Sequence, residues 1–161
     1  MNHSSSLRKL RAFGLAGVLL FSALPLFSAV KNWALVTAAG SKLQEVSMPE
    51  LAKLCKGTQK SWHDGRSFTL VIHNPESPGM SGAVQKLFGV TPSEVKPLLA
   101  KLNESRPVVR IVESDEELLR VVEATPGAVG LVDVYAINSS VKVLRIDGKL
   151  PFDAAYALKG N

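Results

Sequence analysis

The residues best placed to do chemistry lie in one short turn, HNPESPGMSGAV, from His73 to Val84. It follows the apolar run FTLVI (68–72) and leads into Met80, Ala83, Val84, Leu87 and Phe88, the one-faced pattern of a helix. Ser77 stands where it can cap that helix, Pro78 takes the first helical position, and Gly79 leaves backbone amides open to approach. A helix start presents unpaired N–H groups and a positive dipole end, so an oxyanion is its natural guest. His73, Asn74, Ser77, Gly79, Ser81 and Gly82 are therefore the candidate oxyanion-binding residues, while Met80 faces the core by periodicity. The competing reading is an ordinary capped helix start whose small residues serve packing.

Other chemistries find less support. Gly79-Met80-Ser81-Gly82 sits between strand and helix, but a nucleophile elbow needs G-x-S-x-G, and here Gly82 follows the serine directly. No histidine follows His73 to act as a downstream base, so no catalytic residues are assigned and the chain reads as a non-enzyme. Glu113, Asp115, Glu116 and Glu117 resemble paired carboxylates, yet they read better as a solvated first helical turn that complements the dipole. His63 and His73 lie too far apart for metal-ligand spacing, and neither a metal nor a cofactor is expected. Cys55 is alone, which excludes an internal disulfide, and it shares an apolar helix face with Leu51 and Leu54.

The elements that must position these residues alternate between strand and helix. WALVTA (33–38), FTLVI (68–72), PVVRIV (107–112), AVGLVDV (128–134) and VKVLRIDG (141–148) read as strands. Three capping boxes, Ser47/Glu50, Thr91/Glu94 and Ser114/Glu117, open helices between them, and Pro97 predicts a kink or an early break in the second. Gly57, Gly89 and the Pro126-Gly127 pair act as stops. This is the grammar of an α/β layered domain, a mixed sheet flanked by helices, running from about residue 30 to 161.

On those segments the chain resembles the phosphate-binding-protein-like branch of the periplasmic solute-binding superfamily. SDEELLRVVEATPGAVGLVD (114–133) matches the family phrase SD-x-E-(x)n-V-x-x-TPGAIGYV, with Val129 and Leu131 in place of Ile and Tyr, and VKVLRIDG matches VKVL-x-IDG. VSMPELAKLCKGTQKSWHDGRSFTLV follows a third phrase, with Leu54-Cys55 in place of an Ile-Phe pair and Gly57, Trp62 and Gly65 retained. The resemblance implies one lobe of a type 2 periplasmic-binding-protein fold, half of a clamshell that closes on its ligand. It also implies a phosphate site at the His73–Gly82 turn, where the family carries an Arg and then Ser-Gly-Thr. Here His73 or Asn74 takes the Arg place and Pro78-Gly79-Met80 the Ser-Gly-Thr place. Losing two or three hydrogen bonds to a charged ligand, at about 1.5–3 kcal/mol each, would turn a nanomolar site into a millimolar one or worse. His73, if cationic in an acidic compartment, would partly replace the Arg.

The first 29 residues read as a secretory signal peptide: Arg8, Lys9 and Arg11, then an uncharged apolar run ending in small residues near Ser28 and Ala29. The rival reading is an inner-membrane anchor over residues 12–30. Either places the domain outside the cytoplasm. The three leader cations also account for most of the formal charge of +5, leaving +2, so the basic balance is no nucleic-acid footprint. The expected role is weak binding of phosphate or another oxyanion, linked to phosphate uptake or sensing through an ABC transporter or a sensor. The alternative is an envelope interaction module that keeps the fold without the ligand, through self-association or a membrane-protein partner, with Trp62, Tyr135 and Tyr156 as candidate contacts.

Overall fold

The computed structural model describes residues 31–159. The leader, whether signal peptide or anchor, lies outside them, and among the described residues no helix is long and apolar enough to cross a membrane. The elements run β1 (Trp33–Ala38), β2 (Glu45–Val46), α1 (Met48–Cys55), β3 (Thr69–Ile72), α2 (Pro78–Phe88), α3 (Pro92–Asn103), β4 (Val109–Ile111), α4 (Asp115–Ala124), β5 (Ala128–Asp133), β6 (Val141–Val143) and β7 (Arg145–Ile146). Five strands form a mixed sheet in the order β4-β3-β5-β1-β6. Strand β3 is parallel to β4 and β5, whereas β1 is antiparallel to β5 and β6.

The period-2 alternation of the strands sorts their side chains onto two cores. Trp33, Leu35, Leu70, Ile72, Val129 and Leu131 face α1, α2 and α3, while Ala34, Val36, Val71 and Val132 face α4. Helices therefore cover both faces, which is why the strands read as near-continuous apolar runs. Helix α4 sits close because Gly130 has no side chain: a Cβ there would lie 2.6 Å from Leu118 Cδ2 and 2.8 Å from Val122 Cγ2.

Two expectations change. VKVLRIDG is not one strand: Leu144 N–H still donates to Leu35 O, but Arg145 N–H donates to Gln44 O, so the chain leaves β1 and β7 pairs with β2 in a separate two-stranded parallel sheet. Helix α3 also runs unbroken through Pro97. The bond that Pro97 cannot make would reach Ser93, and both residues are exposed, so solvent can take the place of the missing donor while Val95 and Leu99 keep the helix docked.

The three predicted boxes form to different degrees. At α3, Glu94 Oε2 accepts from both Thr91 N (2.9 Å) and Thr91 Oγ1 (2.6 Å), which holds its carboxyl below the usual range. At α1, Ser47 Oγ accepts from Glu50 N, but the Glu50 carboxylate lies 3.8 Å from His63 Nδ1 instead of turning back. At α4, Ser114 Oγ accepts from Glu117 N, and Glu117 Oε2 reaches one residue further, to Glu113 N.

Two tryptophans fasten the sheet to its surroundings. Trp33 Nε1–H donates to Gly79 O at 2.6 Å, and Trp62 Nε1–H donates to Gly127 O at 2.8 Å. Trp62 is buried edge-on against Phe68, and Tyr156 is buried with its hydroxyl accepting from Leu35 N. Neither can serve as the surface contact proposed for it, since each is held inside the core by its own polar atom. Tyr135 alone of the three is exposed, at 84%. Cys55 is fully buried and burial pushes its thiol far above the usual range, as its place beside Leu51 and Leu54 requires.

Candidate functional site

Because β3 and β4 are parallel, their C-terminal ends open on the same edge of the sheet, the usual place for a ligand in an α/β fold. Strand β3 ends into His73 and the start of α2, and β4 ends into Glu113 and the start of α4. Between them lies a cleft of about 560 Å³ lined by Lys31, Trp33, His73, Ser77–Gly79 and residues 113–116. Two helix N-termini thus meet at one cavity, and each adds a positive dipole end and unpaired N–H groups.

The predicted residues divide. His73, Ser77 and Gly79 line the cleft; Asn74, Ser81 and Gly82 do not. Asn74 is exposed and spends its side-chain oxygen on Glu76 N, closing the turn. Ser81 Oγ donates to Pro78 O within the helix. Ser77 occupies the N-cap position through its backbone, its carbonyl accepting from Met80 N and Ser81 N, but its hydroxyl makes no capping bond. That hydroxyl remains available to a guest. Gly79 supplies the first N–H of α2, since Pro78 has none, and its carbonyl is fixed by Trp33.

Charge is where the sequence reading fell short. Lys31 comes to the cleft along Trp33, its Nζ 5.4 Å from the ring centroid. Against it stand Glu113, Asp115 and Glu116. His73 Nε2 lies 2.8 Å from Asp115 Oδ1. An ionised carboxylate only accepts, so Nε2 carries the donated proton, and the ring is held by α4 rather than left free for an anion. The acids of α4 are not merely a solvated turn. They were separable from the site in sequence because some 40 residues lie between His73 and Asp115; the parallel pairing of β3 and β4 is what joins them.

No family model matches the chain. In sequence it is similar to phosphate-binding protein PstS 2 of Streptococcus agalactiae, 33% identical over 79 residues, covering 49% of this chain and 26% of that protein. In structure it is similar to an ABC-type phosphate transport receptor from Vibrio cholerae (TM-score 0.61, 17% identity, 81% of this chain and 54% of the other). It is likewise similar to PstS from Borrelia burgdorferi (TM-score 0.59, 19% identity, 81% and 55%). A third likeness is to a putative phosphate ABC transporter substrate-binding protein with bound phosphate from Clostridium perfringens (TM-score 0.57, 16% identity, 73% and 46%). The chain spans about a quarter of the curated relative and about half of the solved proteins. The fold is that of one lobe of a periplasmic binding protein, a mixed sheet between helices. Both kinds of likeness point to proteins named for phosphate: a phosphate-binding protein in sequence, and in structure a phosphate transport receptor and a PstS.

Proposed function

We propose that this is a non-catalytic, extracytoplasmic substrate-binding lobe that takes phosphate or a similar oxyanion weakly in the cleft between α2 and α4. One observation carries the reading: two helix N-termini, the uncapped Ser77 hydroxyl and Lys31 converge on a single cavity at the C-terminal ends of parallel strands. The likeness to phosphate receptors supports phosphate as the guest, and the leader supports the compartment. A role in phosphate uptake or sensing, with an ABC transporter or a sensor as partner, follows from the same likeness.

The carboxylates set both the weakness and the selectivity. Three acids around the cleft oppose any anion. They also accept hydrogen bonds, and only a protonated oxyanion has one to offer. Orthophosphate still carries protons near neutral pH and sulfate carries none, so phosphate is the favoured guest.

Thermal unfolding of the chain in phosphate, sulfate and chloride at matched ionic strength tests this. Ligand at 100 times its dissociation constant stabilises the folded state by about 2.7 kcal/mol. A phosphate-selective shift that Ser77→Ala removes is the expected result. Equal shifts in sulfate, or none at phosphate raised to about 100 mM, some hundred times a millimolar dissociation constant, would retire the reading. The interaction module then takes over, with exposed Tyr135 beside the first strand as its contact, since Val134 N donates to Asn32 O there. Sedimentation of the chain against Tyr135→Ser would examine it.

A further inference from the structure

A different cleft, at the opposite end of the same strands, gathers positive charge. Lys56 caps the C-terminus of α1, Lys60 lies in the loop before β3, Lys101 is in the last turn of α3, and Arg106 precedes β4. They line a cavity of about 300 Å³ over an apolar floor that includes Leu98 and Leu102, and no acidic residue lines it. Val108 at this cleft and Glu113 at the first are five extended residues apart, about 17 Å, so the two cavities are separate.

Three features make this more than scattered surface charge. Among the described residues, ion pairs engage Arg66, Lys96 and Arg110, and none engages Lys56, Lys60, Lys101 or Arg106. Arg106 is held in place: Nη1 donates to Phe68 O (2.9 Å) and Nη2 to Lys60 O (2.8 Å), leaving further N–H donors of the guanidinium for a guest. Complementing helix C-termini accounts for Lys56 and Lys101, but it does not account for Lys60 and Arg106, which belong to loops. Four like charges around one cavity repel one another, and a bound polyanion relieves that.

We propose that this cavity binds the phosphate group of a compact phosphomonoester or diphosphate. Its volume is at the small end for ligand pockets, and its cations match two or more negative charges. The leucine floor suits a short carbon group attached to the phosphate. No aromatic side chain lines the cavity, so base stacking, and with it a nucleic acid, finds no platform. The same chemistry is offered by a soluble phosphorylated molecule and by an anionic lipid headgroup.

Calorimetric titration of the full chain with inorganic pyrophosphate tests the site, with phosphatidylglycerol and phosphatidylcholine vesicles as the second arm. Lys56→Gln combined with Lys101→Gln, both exposed positions, is expected to weaken pyrophosphate about 100-fold, since each charged hydrogen bond is worth about tenfold or more. Ser77→Ala should leave that affinity unchanged, which separates this site from the first cleft. Phosphatidylglycerol vesicle binding lost in the same double variant names a headgroup as the source; pyrophosphate binding without vesicle binding names a soluble ligand. Binding of neither probe, binding indifferent to the lysine pair, or binding lost in Ser77→Ala would overturn the proposal.

Discussion

The two ends of the β3–β4 pair carry clefts of opposite character, yet they are built alike. Each end is tied by an indole N–H to a glycine carbonyl, Trp33 to Gly79 at one and Trp62 to Gly127 at the other. The first cleft sets Glu113, Asp115 and Glu116 against Lys31 and His73; the second has four cations and no acid. Helix dipoles explain part of the contrast, leaving Lys60 and Arg106 aside. Helices begin at the first end, where acids stabilise them, and α1 and α3 finish at the second, where cations do. At the first cleft the charges that favour the helix therefore oppose an anion, and at the second the two demands coincide.

The tie points break this symmetry most sharply. Gly127 has φ +84°, and a Cβ there would run into the Ser67 carbonyl. Gly127→Ala combines a left-handed backbone with backbone overpacking, so it should cost about 2–5 kcal/mol in urea unfolding. Gly79 has no such constraint: the nearest atoms to a Cβ there are side-chain atoms, the Lys31 Cδ at 3.3 Å, the Trp33 Cζ2 at 3.5 Å and the Lys31 Cγ at 3.8 Å. Gly79→Ala should change stability by less than about 1 kcal/mol and act on the phosphate response instead, because the lysine chain must shift. Equal stability losses would mean that the first cleft is as rigidly built as the second.

Tyr156 tests the scaffold that both ends share. Burial pushes its hydroxyl up to about 12, and the first strand's Leu35 N–H donates to that oxygen. The unfolded chain releases this proton near pH 10 while the folded chain keeps it, so the stabilisation is complete below pH ~10. It is lost as pH rises from there toward 12, by about 2–3 kcal/mol in all. Tyr156→Phe should remove that alkaline slope in denaturant titrations and leave pyrophosphate affinity alone.

Much of this was legible in the chain. The helices around Ser77 and Ser114, the buried strands and the Gly127 stop follow from local chemistry: caps, period, and a residue that tolerates positive φ. Ser77 and Gly79 could be placed for the same reason, as both belong to one helix start. What was not legible depends on pairing at long range. Asn74 and Ser81 satisfy their own turn and helix, which composition cannot distinguish from facing a ligand. Lys31, Asp115 and Glu116 join the cleft through the sheet order, and the four cations of the second cleft span positions 56 to 106 without forming a run.

Removing acids should bring the two clefts closer in behaviour. A carboxylate about 6 Å from an anion opposes it by roughly 0.7 kcal/mol in water, about threefold in affinity. Glu113→Gln with Glu116→Gln should therefore tighten phosphate about tenfold and erode its preference over sulfate. Phosphate thermal shifts in the double variant provide the check. Unchanged affinity would mean that the acids point away from any bound anion and that the electrostatic contrast between the clefts has no functional consequence.

The smallest effect concerns whether the basic cleft is fixed or adjustable. Helix α3 begins at the Thr91–Glu94 cap and delivers Lys101 to that cleft in its last turn. The Thr91 hydroxyl, and then its N–H, hold the Glu94 carboxyl below its ordinary range. The cap therefore stabilises the fold fully above the ordinary glutamate pKa and is lost as pH falls through the lowered folded value. Glu94→Gln should flatten this acid branch of the stability profile slightly, since the group is fully exposed. Pyrophosphate affinity at neutral pH should not move, because Leu99 stays buried and anchors the C-terminal half of the helix whatever its cap does. A measurable loss of affinity would show that Lys101 is set by the far end of α3. The second cleft would then be a property of the whole helix rather than of its last turn.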